Sequence, residues 1–327
     1  MKKITWIWLC AISMLLSSHF AAHAQSVDDT TLQTSVSTKS ANTIIASPAT
    51  QVGRMAGTPL ASGTPGLVLD PTTDTPMAIA YNPIDDLYYA ATGGNTGRPI
   101  QCHDATTGAL ISSSPVGVDQ RGIWWNPNTM QTEANGFGSG GVYTITSSGT
   151  CPDGSTLLFA ANQPDSQSGG DYDYDNDEII YFDESAPGVY RVDRATNTTI
   201  GTTIITATPA GTNYAEMSIG YTGVTGFEYA LFDVVTNSVH LYDLAGAFQA
   251  TVTISETIRA SNSRFLFSYE NDLAWVLNGT NNWTSHTIFS FAVGDAPVIT
   301  CPADIMINTE PGVCTAVSNF AGTATDT

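Results

Sequence analysis

The chain of 327 residues carries 30 acidic and 10 basic side chains, which gives a formal net charge of −20 at pH 7. A field of this sign repels phosphate backbones and anionic lipids, so we expect no nucleic-acid partner. Only 12% of the residues are charged, and 42% are hydrophobic. Together with abundant Thr, Ser, Gly and aromatic residues, this composition is typical of an extracellular β protein with a hydroxyl-rich surface.

The first residues have the pattern of an export signal. Lys2-Lys3 precedes the apolar stretch Ile4–Ser17, and an Ala-x-Ala triplet follows at residues 22–24. This order predicts a secretory signal peptide over residues 1–24. The apolar stretch is shorter than the roughly 20 residues of a membrane-spanning helix, and no other stretch is apolar enough to span a bilayer. We therefore expect a secreted or cell-surface protein without a transmembrane segment.

Residues 25–65 are rich in Ser, Thr and Ala and show little periodicity. They are interpreted as a flexible lead-in. The short apolar segment that follows, Gly66–Leu69, is predicted to be a strand that joins the last of the repeats described next and closes their ring.

A unit of short strands and turns recurs through residues 66–293. Its fullest copy, Met77–Ile111, contains three or four apolar runs separated by an Asn-Pro turn, a Gly-rich turn and an Asp-Ala-Thr-Thr-Gly turn. Asn82 and Asn126, in equivalent turns, are 44 residues apart. The copies begin near Met77, Gly122, Gly170, Met217 and Phe265.

A strand-built period of this length is typical of a β-propeller, in which each repeat is one blade that buries its faces against its neighbours. The sequence therefore predicts an all-β protein with a propeller of five or six blades over residues 66–293. A β-sandwich is the alternative, although sandwiches show no period this long. The third copy carries the largest predicted insertion, Ser147–Asp177. The propeller interpretation places seven residues in strands and mostly in the core: Leu87, Tyr89, Ile180, Phe182, Leu231, Leu273 and Trp275.

The C-terminal segment, residues 296–327, has a different composition. It contains the run Pro297–Pro302 (PVITCP), the alternating strand Ile305–Asn308, the turn Pro311–Cys314 (PGVC) and a final Ala-Thr-Asp. In these motifs and their spacing it resembles the opening of a hyalin repeat (HYR) domain. The resemblance implies an immunoglobulin-like sandwich of roughly eighty residues. This chain would hold only its N-terminal part, truncated at Thr327, where the family has Asn and then Cys.

Hyalin repeats are extracellular interaction and spacer modules without catalytic residues, so the resemblance implies adhesion or display. Surface attachment would then come through a C-terminal part that follows residue 327, and Cys301 and Cys314 would pair with cysteines there. Within the repeats the two cysteines are Cys102 and Cys151. Spacing does not fix their pairing, but an oxidising compartment permits it, and we favour a disulfide between them.

The acidic run Asp171–Glu178 is the strongest candidate site. In an extended segment Asp171, Asp173, Asp175 and Asp177 point to one face, and such clustering is hard to sustain without a cation. Calcium is the natural ion outside a cell and the one cofactor that the sequence suggests. The run is not an EF-hand, because the sharp turn lacks its glycine. The alternative interpretation is a solvated acidic loop.

No catalytic motif stands out. The histidines His103, His240 and His286 fall one to a repeat and are interpreted as structural, since none has a carboxylate partner in a motif. Glu216 and Asp233 could line a central channel, as carboxylates do in propeller lactonases and glycan lyases. Four tryptophans could stack on sugars, although packing between strands is the favoured interpretation: Trp124, Trp125, Trp275 and Trp283.

Two classes of function remain. The leading hypothesis is a secreted or cell-surface binding or adhesion protein, whose propeller presents a surface to an extracellular protein or glycan on hyalin-type spacer repeats. The alternative is an exported propeller enzyme, a glycan lyase, hydrolase or lactonase, with the HYR module for attachment. The channel mouth should distinguish them. An enzyme should bring two acids, or an acid and a histidine, together there, whereas a binding module should present Tyr, Trp, Asn and Thr.

Overall fold

A computed structural model of the chain describes residues 56–70, 75–259 and 265–291, all within the compact unit Ser47–Thr327. The predicted signal peptide, residues 1–24, and the HYR segment, residues 296–327, lie outside the described residues. Within the described ranges, no helix has the length and hydropathy needed to cross a membrane. The regular structure there consists of β-strands and one short 3-10 helix, Gly138–Gly140.

The first strand is β1 (Gly57–Val68). The following twelve strands form three antiparallel units of four strands each, in chain order. Unit I consists of β2 (Thr75–Asn82), β3 (Leu87–Gly93), β4 (Pro99–Asp104) and β5 (Leu110–Pro115). Unit II consists of β6 (Gln120–Asn126), β7 (Gln131–Gly136), β8 (Val142–Thr146) and β9 (Gly154–Phe159). Unit III consists of β10 (Gly170–Asp173), β11 (Glu178–Asp183), β12 (Gly188–Asp193) and β13 (Thr198–Ile204).

The remaining strands form two units that share a sheet. Unit IV consists of β14 (Gly220–Tyr221), β15 (Tyr229–Asp233), β16 (Ser238–Tyr242) and β17 (Phe248–Thr253). Unit V consists of β18 (Phe267–Glu270), β19 (Leu273–Leu277), β20 (Trp283–Phe291) and, from the start of the chain, β1. Because β1 pairs with β17 as well as with β20, units IV and V form one eight-stranded sheet.

The first strands of the units contact one another in a closed cycle, and we call β2, β6, β10, β14 and β18 the inner ring. The five units follow one another around this ring in chain order. This repeated-sheet arrangement fits a β-propeller. The inner-ring strands begin at Thr75, Gln120, Gly170, Gly220 and Phe267, close to the starts that the sequence repeats predict.

Side chains of one unit accept hydrogen bonds from backbone N–H groups at the edge of the next unit. The inner-ring strands are edge strands, whose free backbone N–H groups need acceptors when they are buried. Ser268 Oγ accepts a hydrogen bond of 3.0 Å from the Ile79 N–H, which joins unit V to unit I. Ser218 Oγ accepts one of 3.1 Å from the Leu266 N–H, just before β18. In these two places a neutral hydroxyl is therefore sufficient to accept the backbone N–H of the neighbouring unit.

The core lies between neighbouring units. The seven residues predicted as core all lie in strands, and all are buried except Leu273, which is half-buried. Tyr88 and Trp275 meet edge to face with 4.6 Å between ring centroids and join units I and V. Phe232 stacks on Phe267 at 6.1 Å and joins units IV and V. Each unit therefore buries its faces against its neighbours, as the repeat predicts.

Two stretches differ from the sequence-based expectation. Strand β1 begins at Gly57, inside the range 25–65 interpreted as a flexible lead-in, and it is longer than the predicted strand Gly66–Leu69. Most of its side chains are exposed, so backbone pairing defines this strand and its sequence carries no alternating pattern. The prediction that Ser147–Asp177 is an insertion is wrong. It contains β9 and β10, which complete unit II and begin unit III.

A disulfide joins Cys102 on β4 to Cys151 in the loop between β8 and β9, with 5.8 Å between the two Cα atoms. This is the pair that the sequence favours. The bond links unit I to unit II across a sequence separation of 49 residues. It therefore limits how far the two units can separate in the unfolded chain.

Candidate functional site

An open pocket of about 330 Å³ lies where the inner-ring strands turn into the second strands of their units. We call it the mouth pocket. Its wall is aromatic: Tyr81, Trp125, Tyr172, Tyr174, Tyr221 and Tyr269. Three acids line it as well, namely Asp171, Glu270 and Asp272. Its remaining lining residues are neutral: Pro83, Pro127, Thr222 and Asn271.

Local turn chemistry places the aromatic residues. Tyr81 and Trp125 stand directly before the Asn-Pro turns of units I and II. The side-chain oxygen of Asn82 accepts a hydrogen bond of 2.9 Å from the Ile84 N–H, which holds the chain in this turn. Units III, IV and V supply their aromatic residues at equivalent places, so all five units contribute to one wall.

The aromatic wall has a half-buried rim and a buried floor. Tyr81, Trp125 and Tyr174 are half-buried, whereas Tyr172 and Tyr221 are buried. The rings of Tyr174 and Tyr221 meet edge to face at 5.1 Å. The rim therefore leaves aromatic faces accessible to a ligand, and the floor is fixed by packing.

Tyr269 differs from the other tyrosines of the floor. Its side chain is only 5% exposed, and its hydroxyl has no hydrogen-bond partner among the described residues. Burial raises the pKa of Tyr269 well above its usual value. A buried hydroxyl without a partner costs free energy, and a bound polar group could satisfy it.

Asp171 lies at the floor of the mouth pocket on β10 and is 7% exposed. Its Oδ2 accepts a hydrogen bond of 2.6 Å from the Tyr221 N–H on the next unit, and its Oδ1 accepts one of 2.8 Å from the Tyr172 N–H. Burial raises the pKa of Asp171 to about 7, although these two N–H donors act in the opposite direction.

Glu270 reaches the same floor from β18. Its Oε2 accepts a hydrogen bond of 3.3 Å from the Tyr81 N–H, and the Trp125 N–H also bonds to its carboxyl group. Burial, followed by the charge of Asp171, raises the pKa of Glu270 well above its usual value. Burial also raises the pKa of the third acid, Asp272. The mouth pocket therefore concentrates carboxyl groups that hold their protons unusually tightly.

In the part of the chain that the structure describes, these acids have no basic neighbour in the pocket lining. None of the described residues that line the pocket is Lys, Arg or His. Arg121 lies further along the ring, in a narrow cavity that also reaches Asp171 and Glu270. Its guanidinium is already paired with Asp119 at 2.6 Å and bonded to Gln167 at 2.7 Å. The arrangement suits stacking on aromatic faces, proton exchange between two carboxyl groups, and attraction of positive charge.

The structure distributes the four aspartates of the predicted calcium site among different partners. Asp173 Oδ1 accepts from the N–H groups of Asp175 and Asn176 at 3.1 Å, which caps the turn between β10 and β11. Asp175 accepts a hydrogen bond of 2.6 Å from the Tyr221 hydroxyl, and Asp177 accepts one of 2.5 Å from the Tyr172 hydroxyl. In the described ranges, no group of three or more His, Cys, Asp or Glu side chains could hold a metal ion. The calcium site stays a prediction.

The other residues singled out from the sequence lie mostly in the core. Trp124, Trp275 and Trp283 are fully buried, and of the four tryptophans only Trp125 reaches the mouth pocket. Neither Glu216 nor Asp233 lines that pocket.

Burial lowers the pKa of each of the three histidines: His103, His240 and His286. His286 nevertheless has a carboxylate partner, Glu256, at 3.1 Å. None of the three lines the mouth pocket, so its chemistry depends on carboxyl and aromatic groups.

Replacing Asp171 with Asn should remove a loss of stability that the wild-type protein shows as the pH rises. Folding raises the pKa of Asp171 from 3.8 to about 7, so the folded protein holds this proton more tightly than the unfolded chain. The resulting stability is fully present below about pH 4 and is lost as the pH rises through about 7, on the order of 4 kcal/mol. In urea unfolding, the stability of the Asp171→Asn variant relative to that of the wild type should increase between about pH 4 and pH 8.

Asp104→Asn provides a control of opposite sign. Hydrogen bonds from Thr107 lower the pKa of Asp104, so this carboxylate contributes stability above its unfolded pKa and loses it as the pH falls. The stability of the Asp104→Asn variant relative to that of the wild type should therefore decrease as the pH rises. A parallel change in both variants would contradict the assignment of Asp171 as the buried, protonated acid.

Comparison with known proteins identifies no family. No family model matches the chain, and no curated protein matches it. Among solved structures, "Crystal structure of Myxococcus xanthus Glutaminyl Cyclase" is similar at 10% identity and a TM-score of 0.49, covering 73% of this chain and 98% of that one. "Crystal Structure of Mitotic Checkpoint Complex" is similar at 11% identity and a TM-score of 0.35. There the match covers 65% of this chain and 61% of the other. Both likenesses are too weak to support an argument.

Proposed function

We propose that this chain is a secreted or cell-surface binding protein built on a five-bladed β-propeller. Its mouth pocket would bind a portion of an extracellular glycan or protein. One observation supports this most directly: all five units contribute aromatic side chains to a single open pocket. Binding sites are typically concave and mostly apolar, with a few polar groups that orient the ligand. Thr222, Asn271 and the three acids supply those polar groups here.

Export and attachment complete this proposal. The signal peptide over residues 1–24 would deliver the chain to the outside, where the disulfide between Cys102 and Cys151 is stable. The HYR segment, residues 296–327, would begin the spacer that carries the propeller at the cell surface. A calcium ion at the acidic run remains a separate proposal, and the binding function does not depend on it.

A second candidate function is an exported enzyme that cleaves a glycan. Asp171 and Glu270 favour it, because two interacting carboxyl groups with raised pKa values can hold one proton between them. General acid–base cleavage of a glycosidic bond uses such a pair, with one group protonated and one ionised. The two carboxyl groups lie beneath the aromatic wall on which a sugar ring could stack.

The binding proposal is tested by replacing Trp125 with Ala and measuring affinity by calorimetry against a panel of neutral and amino-substituted oligosaccharides and short peptides. Trp125 is half-buried at the rim, so truncation should remove stacking area without opening the core. We expect a panel member that binds the wild type to lose about tenfold in affinity, which is ~1.4 kcal/mol.

Phe137→Ala is the matched control, since Phe137 is an exposed aromatic residue outside the mouth pocket. It should bind as the wild type does, and circular dichroism should show both variants folded. Equal losses in the two variants, or a wild type that binds no panel member, would contradict the binding proposal. Release of new reducing ends by the wild type, abolished in Glu270→Gln while binding persists, would favour the enzyme instead.

A further inference from the structure

The mouth pocket contains more carboxyl groups than its backbone hydrogen bonds require. Asp171 and Glu270 each accept a backbone N–H from a neighbouring unit. Elsewhere on the ring, the neutral hydroxyls of Ser268 and Ser218 each accept a backbone N–H in the same way. A carboxylate in a buried place is costly, and a neutral side chain could make the same hydrogen bond at lower cost. Backbone hydrogen bonding alone therefore does not explain why carboxyl groups stand at the mouth.

Among the described residues that line the pocket, no base stands beside these carboxyl groups. The described lining of the mouth pocket contains three acids and no base. The nearby Arg121 is engaged by Asp119, whose Oδ1 lies 2.6 Å from its Nη1. An opposite charge within a few ångströms favours the ionised form of a buried or half-buried carboxyl group, so an external cation could supply what the described lining does not.

The wall surrounding these acids is suited to the same kind of ligand. Trp125, Tyr81 and Tyr174 stand at the rim, and their rings carry negative charge density on their faces. A positively charged group is attracted to such faces, most strongly to tryptophan. At the floor, the unpartnered hydroxyl oxygen of Tyr269 could accept a hydrogen bond from an N–H donor.

We infer that the mouth pocket recognises an organic cation, an ammonium or quaternary ammonium group carried by its ligand. The bound cation would favour the ionised forms of Glu270 and Asp171, which would neutralise it from below, and Trp125 would cover it from the rim. This inference rests on the proposed binding function and specifies the ligand class. The net charge of −20 would also raise the local concentration of such ligands around the protein.

The test compares choline with 3,3-dimethylbutan-1-ol, a neutral alcohol of the same size and shape, by calorimetry with the whole chain at physiological salt. Choline cannot lose a proton, so its charge is constant throughout. Choline should bind at least about tenfold more tightly than the alcohol. Glu270→Gln should lower the affinity for choline about tenfold and leave the affinity for the alcohol unchanged, because glutamine keeps an acceptor for the Tyr81 N–H.

Asp243→Asn serves as the charge-matched control. Asp243 lies outside the mouth pocket, where it accepts from the Ala245 N–H at 3.0 Å, and asparagine can cap the same turn. It should bind choline as the wild type does. If circular dichroism shows Glu270→Gln to be unfolded, Asp272→Asn asks the same question at the same pocket.

The outcomes separate this inference from the binding function itself. Equal affinity for choline and for the alcohol would overturn the cation inference and leave the pocket as a binding site. Equal loss in Asp243→Asn and Glu270→Gln would also overturn it, because the attraction would then come from the overall charge. Binding of neither probe would refute the cation inference, and the Trp125→Ala comparison would decide the binding function independently.

Discussion

A chain that begins at Leu69 should lose its cooperative fold. The deletion removes β1, which pairs with β20 at six positions from Gly57 with Phe291 to Val68 with Thr284. It also removes the strand pairing that makes units IV and V one sheet, at Ser62 and Thr253. At about 1 kcal/mol for each lost hydrogen bond, the cost is on the order of 5 kcal/mol, comparable with the whole stability of many domains. The exposed edge of β20 should also promote aggregation.

The matched control is a chain that begins at Met55 and keeps β1. It should unfold in urea at the same midpoint as the full chain, whereas the chain that begins at Leu69 should show no cooperative transition in circular dichroism. A synthetic peptide of residues 55–69, added to the shorter chain, should restore the transition, and a scrambled peptide should not. Identical midpoints for the two truncated chains would show that β1 does not hold units IV and V together.

This strand marks where prediction of the fold from the sequence stops. The other units were predictable because their turns carry local chemistry, such as the Asx turn of Asp104, whose Oδ1 accepts from the N–H groups of Thr106 and Thr107 at 3.0 and 2.7 Å. Strand β1 has no such signal. Its side chains are mostly exposed, and its partner β20 lies more than two hundred residues away in sequence. Only the closure of the ring gives this segment its structure.

The candidate site shows the same division between local and distant information. The aromatic wall could be found by aligning the repeats, because Tyr81 and Trp125 precede the same turn in their units, and Tyr269 stands at a matching place. The acid pair could not. Asp171 was singled out for its neighbours in the acidic run, whereas the structure sets it beside Glu270 of unit V, which no motif indicates. That juxtaposition depends on the ring bringing β10 and β18 to one floor.

Arg194→Ala should destabilise the protein by about 3–5 kcal/mol, because it leaves a buried carboxylate without its cation. Glu133 on β7 is fully buried and pairs with Arg194 from the turn after β12, which ties unit II to unit III. The Nε of Arg194 lies 3.0 Å from both carboxylate oxygens. Trp124 and Asn126 also donate to Glu133, at 3.3 and 3.1 Å, but they carry no charge.

Arg191→Ala is the comparison, since Arg191 pairs with Glu178 within unit III at 2.6 Å, and the two side chains are 27% and 8% exposed. Water reaches this pair through the guanidinium of Arg191, whereas Glu133 is fully buried, so Arg191→Ala should cost less than Arg194→Ala. A double variant, Glu133→Gln with Arg194→Met, removes both charges and should recover most of the stability that Arg194→Ala loses. Urea midpoints with unchanged m-values would measure all three changes. If Arg194→Ala costs no more than Arg191→Ala, Glu133 does not carry a buried charge, and the contact between units II and III must be held by packing alone.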